Sequence, residues 1–414
     1  MMFLKINEKK ILDIVVFILV LLWSGSPYQT IFPVISYLQI PVACILLFLI
    51  LTKNKGKYKT TFYSVSILVF SLMILLTWVA HLFASPLSYL REVCFIFLAF
   101  ALTRLYNFKD VVKLYVNVMT FVAIVSLVGH LLVNNTQVLS FLPQMTNVNN
   151  IEYGIGVIFN YLIEFPERNC GIFWEPGIYA SFLSIAIIFE ICFNTQRKDY
   201  RRLILFFFTL VTTSSSAGMV LILLCATILF MNINEKTKKN WINGIWGLLL
   251  MILLAIVVFN FDSIILMMLK IVDNLYLEKL LSYNIVGNAR YLGLVHNLKI
   301  FFEYPLFGAG LDEVAVRMDH VADISTSTYL MSIYGLLGAF YTISWIRGIL
   351  GQKRLAWYTR ILFIAVIMII VNKETHTLII FSWMLMFYFL KQENVDEGEI
   401  EYFDVPLNKD ESVA

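Results

Sequence analysis

Charge is what this sequence has least of. Asp, Glu, Lys and Arg make up 14% of its 414 residues, where water-soluble domains carry about a quarter. Hydrophobic residues make up 60%, and the mean hydropathy is +0.80. This excludes the soluble globular class: lipid replaces water as the solvent, and backbone groups must be satisfied inside helices. The net charge of +3 is too small to attract nucleic acid, so none is expected as a partner. Cysteine is scarce as well. Of five, Cys44, Cys94, Cys192 and Cys225 fall in or at the ends of apolar runs and Cys170 in a candidate outer loop, so no disulfide framework or metal spacing follows. HExxH, P-loop, dinucleotide and nucleophile-elbow motifs are missing. Ionisable residues almost avoid the middle of apolar runs: Asp13 and Glu190 lie near cytoplasmic ends, and His81, Arg91, Glu92 and His130 near outer ends. Proton-coupled transporters place carboxylates or histidines near the midplane, which argues against that class.

What the sequence does have is apolar runs. A hydrocarbon core of about 30 Å takes roughly 20 helical residues. Runs at 11–28, 31–52, 62–83, 87–105, 111–133, 172–193, 241–261, 326–346, 359–372 and 375–391 read as spans, the first retained because no small-residue cleavage site follows it. The run 203–233 is too long for one crossing and is basic on both flanks, "RKDYRR" and "EKTKKN". Lys and Arg mark the cytoplasmic side, so the run is expected to enter and return. Its centre, "TLVTTSSSAGMV", has the hydroxyls and glycine that break a helix while satisfying its backbone, and predicts a hairpin of two short helices. The expected fold is all-α: a polytopic membrane domain over 1–391 with about twelve segments, both termini cytoplasmic, and an acidic cytoplasmic tail at 392–414. On this topology 23 of the 31 Lys and Arg residues face the cytoplasm, and Lys373 is among the eight that are outside or embedded. Outer loops cover 134–171 and 262–325. The second carries "VDNLYLEKLLSYN" and "ARYLGLVHNLKIFFEYP", whose apolar period of three and four predicts a helical cap at the outer face.

Arginines at that face suit an anionic substrate. Arg168, in "RNCGIFWEPG", stands before a helix start, where a guanidinium and free N–H groups together hold a phosphate. The plainer reading pairs it with Glu164, Glu167 or Glu175. Pro176 fits the first turn, and Glu175 is expected to cap it. Arg290 opens a helix of about fifteen residues ending before Pro305. It is either a second phosphate ligand or the partner of Glu303 or Asp312. The turn "PLFGAG" brings Gly308 and Gly310 for close backbone approach or positive φ. Arg317 and His320 follow in the loop, and His320 has the chemistry of a general base or of an ordinary surface histidine. Arg91 with Glu92 is an interfacial ion pair or part of the site. Asp312, Glu313, Asp319 and Asp323 could gather a cation, though acids so loosely spaced are usually solvated.

These stretches resemble the O-antigen polymerase and O-antigen ligase superfamily, multi-span enzymes that join lipid-linked glycans outside the cytoplasmic membrane. The likeness rests on Arg168, Gly171, Phe173 and Pro176 before a span, and on Arg290 with Pro305 to Gly310. It rests also on the "GLLG" of Gly335 to Gly338, and on Ser215, Ser216 and Gly218 in the broken run. It covers roughly residues 150–340. Where many members have a His-Asn pair, this chain has Thr326 and Ser327, with His320 six residues upstream. The resemblance implies a bacterial inner-membrane polymerase of capsule, exopolysaccharide or O-antigen. It acts on repeat units carried by undecaprenyl pyrophosphate, needs no metal or other cofactor, and works beside a flippase and a chain-length regulator. Arg168 and Arg290 would stabilise the departing pyrophosphate and His320 would take the acceptor proton, while Arg91, Glu175, Arg317, Gly308 and Gly310 would line the substrate. The ligase is the near alternative. A lipid-linked oligosaccharide flippase is the distant one, and would want cations buried between helices, which the sequence does not suggest.

Overall fold

The computed structural model describes residues 16–32, 34–38, 41–42, 45, 62–136, 141–148, 150–156, 158–194, 199–234, 289–318, 325–377 and 379–392. The span expected at 241–261, most of 31–52, much of segment 262–325 and the acidic tail lie outside them. The principal helices are α1 (Phe62–Ala80), α2 (Pro86–Leu105), α3 (Phe108–Asn135), α4 (Pro176–Ile188, continued by a π turn, Phe189–Phe193), α5 (Tyr200–Thr212) and α6 (Ser216–Asn234). They are followed by α7 (Ala289–Glu303), α8 (Gly310–Met318), α9 (Thr326–Tyr334, with a 3-10 turn Gly335–Gly338), α10 (Ala339–Leu350), α11 (Trp357–Lys373) and α12 (Ile380–Gln392).

Five helical stretches are long and apolar enough to cross a bilayer: α1, α2, α3, α4 with its π turn, and α9 through α10. Their outward faces are greasy. Leu68, Leu72, Leu75 and Val79 form an exposed stripe on α1, and Phe121, Ile124, Val128 and Leu131 one on α3. Apolar stripes of this size on a water-facing surface would drive aggregation, and they are what a lipid-facing helix needs. The centre is α4, with 89% of its apolar window buried against 33% for α1 and α3. Beside it α12 is buried along its length, with Phe381 stacked on Tyr115 of α3 at 4.5 Å between centroids.

The expected hairpin is present. At one end of α5, Asp199 donates its N–H to Glu190 near the carboxyl end of α4 (2.8 Å); at the other, Thr212 accepts from the N–H of Asn169, ahead of α4 (3.0 Å). Thus α5 runs antiparallel to α4. Its successor α6 runs back, with Gly218 against Ala180 and Cys225 Sγ facing the Ser184 carbonyl at 3.9 Å. At the reversal Ser214 takes a positive φ of 49°, and the hydroxyls of Thr209, Thr212 and Thr213 return to carbonyls three or four residues earlier. The Thr212 and Thr213 bonds fall in the last turn of α5, on the carbonyls of Thr209 and Leu210, and add to the few donors left there by the break.

The all-α expectation needs one correction. Within segment 134–171 the described residues include a three-stranded antiparallel sheet of β1 (Gln144–Thr146), β2 (Glu152–Ile155) and β3 (Asn160–Leu162). With three or four residues each, these strands are too short for an alternating pattern to stand out in sequence. Below them Tyr153, Ile155, Leu162 and Cys170 make a small satellite core.

The hairpin has a direct test. In a cysteine-free background, single cysteines at Arg201 and Lys236 should be modified by a membrane-impermeant maleimide from the same face of the membrane. Labelling from opposite faces would mean that 200–234 crosses once.

Candidate functional site

The Arg168 loop dips into the bundle. Asn169 Nδ2 donates to Ser126 Oγ on α3 (3.2 Å) and to Thr212 Oγ1 at the hairpin turn (3.0 Å). Ser126 stands nine residues before the end of α3 at Asn135, about 14 Å down the helix at 1.5 Å per residue. The amino end of α4 therefore begins in a recess. Arg168 is partly exposed, but its Nε is buried without a hydrogen-bond partner, and among the described residues it forms no ion pair with Glu164, Glu167 or Glu175. Burial pushes the neighbouring Cys170 thiol up to about 12, with Arg168 opposing and Glu175 adding to the shift, so both charges stand around it. Cys170 is therefore an inert core residue rather than a reactive loop thiol.

Pro176 takes the first helical position, as expected. Glu175 occupies the N-cap position with extended backbone, but its side chain makes no capping bond, which corrects the capping expectation. The first helical hydrogen bond runs from Tyr179 to the Glu175 carbonyl. Proline has no N–H, so the free donors of the first turn are those of Gly177 and Ile178.

What stands against this turn is Lys373, the last residue of α11, with Glu374 beside it. A Cβ on Gly177 would lie 2.5 Å from Lys373 Nζ and 2.6 Å from Glu374 Oε1. Lys373 is 9% exposed; its ammonium donates to Ser215 Oγ in the hairpin turn and lies 3.7 Å from the Glu374 carboxylate. Ser215 also accepts from the Gly218 N–H (3.3 Å). Around the pair, Thr326 at the start of α9 donates to the Glu374 carbonyl (3.2 Å) and accepts from the His376 N–H (2.7 Å). His376 is 0% exposed, with Nδ1 at 2.6 Å from Ser382 Oγ and Nε2 buried without a partner. The sequence placed Lys373 only among eight cations outside or embedded and did not single out Glu374 or His376. The signal was "NKETH", residues 372–376, across the junction of runs 359–372 and 375–391, each short for a span, which is how discontinuous membrane helices announce a binding site.

The other expected site residues fall into two groups. Arg290 lies in the first turn of α7, whose fifteen residues end before Pro305 as expected; its side chain lies outside the described residues. The helices α7 and α9 run in the same direction, joined by Asn297 with Ser332 (3.2 Å) and by Pro305 with Leu336 (2.8 Å). Arg290 and Thr326 thus start their helices at one end, each about 10 Å back from the Asn297–Ser332 contact. Arg290 therefore begins at the end of the bundle where Thr326 meets Glu374. His320, Asp319 and Asp323 lie outside the described residues.

The second group lies where the "PLFGAG" turn meets α1 and α2. Gly308 and Gly310 have φ of +70° and +77°. Both are filled against protein: a Cβ on Gly308 would strike the Ile333 carbonyl, and one on Gly310 the His81 ring at 2.8 Å. Their close approach is to the chain itself. Arg91 Nε is buried without a partner and its guanidinium stands 6.0 Å from the Tyr37 ring centroid. Among the described residues no Arg91–Glu92 salt bridge is present, and Glu92 accepts from the hydroxyl of Tyr334. Arg317 is engaged by Glu303, by Glu313 (2.7 Å) and by the Tyr304 ring (5.5 Å); these carboxylates raise its pKa further. Asp312 accepts from Ser85. The Arg317 network is an exposed surface pairing on α8, away from the recess.

Comparison with known proteins gives no matching family model and no matching curated protein.

Gly308→Ala should lower the thermal midpoint of the purified protein more than Gly310→Ala. Positive φ alone costs a residue with a Cβ about 1–2 kcal/mol in either place. At Gly308 the obstacle is backbone, whereas at Gly310 an imidazole can turn aside. Equal midpoints would show that the α9 backbone yields.

Proposed function

We propose that the protein polymerises lipid-pyrophosphate-linked oligosaccharide units by glycan transfer at the outer face of a bacterial cytoplasmic membrane. The observation that carries this reading is the Arg168 loop. It carries a guanidinium with an unpartnered Nε in the loop that leads into the first turn of α4, and the next residue, Asn169, ties that loop into a bundle whose outer helices are lipid-facing. A polyprenyl tail would stay in lipid while its diphosphate enters the recess. There Arg168, and Arg290 from the amino end of α7, would stabilise the charge that grows on the departing pyrophosphate. The bond formed joins the anomeric carbon of the donor glycan to an acceptor hydroxyl; the bond broken joins that carbon to the pyrophosphate oxygen, and the hydroxyl proton leaves to a base. His320 remains the proposed base, and Glu175 a polar wall of the recess. The motif likeness to the O-antigen polymerase and ligase superfamily supports the assignment independently of the fold. A ligase would differ in its acceptor rather than its chemistry. Finished polymer left on the carrier in a deletion strain would indicate the ligase, and loss of polymer the polymerase.

One observation favours a second reading. A flippase needs cations buried between helices, and Lys373 is such a cation. In that case lipid-linked units would remain accessible only from inside when the protein is absent.

Arg168→Ala and Arg290→Ala should each leave the protein in the membrane and yield lipid-linked single units without long chains. One oriented donor contributes a few kcal/mol to such a step, so transfer should fall about a hundredfold or more. Normal chain lengths on glycan gels of the variant strains would refute the assignment.

A further inference from the structure

The recess contains an electrostatic juxtaposition that its own helices do not explain. The amino end of α4 is a positive pole, where free N–H groups favour an anion, and cations are favoured at the opposite end of a helix. Lys373 complements the carboxyl end of its own helix α11, which accounts for its position in the sequence. It does not account for its aim: the ammonium is buried against Gly177, so that two positive poles face each other. Among the described residues the charge set against both is the Glu374 carboxylate, 3.7 Å from the ammonium and 2.6 Å from where a Gly177 Cβ would stand. At 3.7 Å the pair is longer than a charge-assisted hydrogen bond. The Ser215 hydroxyl, and His376 with its buried, unpartnered Nε2 on the link that Thr326 holds beside Glu374, add polar groups to the same cluster of broken helix ends.

We propose that the first turn of α4, with Lys373 and Ser215, is a binding site for a phosphate-type anion, and that the Glu374 carboxylate is a tethered stand-in which that anion displaces. The proposal rests on the glycan-transfer reading for the source of the anion, a lipid pyrophosphate head, and not for the site itself. It gives the two neighbouring charges opposite signs of effect. Removing Lys373 weakens binding because it deletes a ligand, whereas removing the Glu374 charge strengthens binding because it deletes a competitor. A structural ion pair would instead be weakened by either change, since each leaves a buried charge uncompensated.

The test uses the full-length protein in nanodiscs, with thermal midpoint read against farnesyl pyrophosphate and, in a second arm, inorganic pyrophosphate. A ligand that binds the folded state raises the midpoint with concentration. Glu374→Gln should reach the wild-type shift at about tenfold lower ligand concentration, and the double variant Lys373→Met with Glu374→Gln should need at least tenfold more than Glu374→Gln alone. The double variant removes both charges of the pair together. Should it fail to fold, Gly177→Ala keeps every charge while crowding the ammonium and should also weaken binding. Stronger response to farnesyl pyrophosphate identifies a lipid head, and equal response to both probes a free diphosphate. No midpoint shift in the wild type, or Glu374→Gln binding no tighter than wild type, or Lys373 and Gly177 variants binding as their parents do, would each overturn the site. Chain-length analysis separates the two readings: the binding pattern together with normal polymer in Lys373 variants leaves the site standing and removes glycan transfer. Unchanged binding together with lost polymer in Arg168→Ala does the reverse.

Discussion

Each break in a helix inside an apolar bundle strands backbone and side-chain polar groups that lipid cannot satisfy. That constraint governs the polar layer around the amino end of α4. Ser24, Asn169, the hairpin turn at Thr212 to Ser215, the start of α9 at Ser325 and Thr326, and the Lys373 to His376 link all bond within one polar layer. Each belongs to a different break in a helix or its approach. Moving any one of them would leave buried donors or acceptors unpaired at about 1–3 kcal/mol each. The layer is therefore held as a unit, and the central helix is fixed by it.

Within that layer the energetics of charge are unforgiving. A buried ammonium without compensation costs several kcal/mol, and a carboxylate at 3.7 Å repays only part of it. Hydroxyls such as Ser215 contribute, and so does the carboxyl end of α11, whose dipole favours a cation. These terms explain how Lys373 is tolerated. Among the described residues they leave the anion-seeking pole of α4 to the Glu374 carboxylate. Retaining such an arrangement in an otherwise apolar core is what makes the recess, rather than the exposed Arg317 network, the place to look for chemistry.

Much of the frame was legible in the sequence because its signals are local and long. Hydropathy gave α1, α2 and α3 nearly to their ends, basic flanks and a Thr and Ser run gave the reversal between α5 and α6, and Pro305 gave the end of α7. Site residues were legible as types, not as partners. Arg168 stands by its helix start, yet which carboxylate would meet Arg91 or Arg317 depended on how α2, α8 and α9 pack, and no spacing in one sequence encodes that. Glu92 turned to Tyr334, 242 residues away, and Asp312 to Ser85, 227 away. The Lys373 cluster was passed over for a different reason. Lys373 and Glu374 fell between two expected spans and His376 inside the second, whereas the link is folded inward by contacts from α4, α9 and the hairpin, all distant in the chain.

The packing at the other end of α9 bears on which activity suits the recess. The carbonyls of Pro305 and Leu306 lie where Gly335 would carry a side chain, and Ile333 meets Gly308 in the same way; backbone thus touches backbone without intervening side chains. Contacts of that kind have one close arrangement and do not slide, so α7 and α9 move together or not at all. Alternating access requires one helical group to rock against another around the bound substrate. Transfer chemistry requires the opposite, charges held within a fraction of an ångström while the bond order changes at one carbon. A rigid α7–α9 pair that brings Arg290 to the end of the bundle where Thr326 meets the Lys373 layer is suited to the second demand. Motion of a flippase would have to occur elsewhere in the bundle, across the softer side-chain interfaces of α1, α2 and α12.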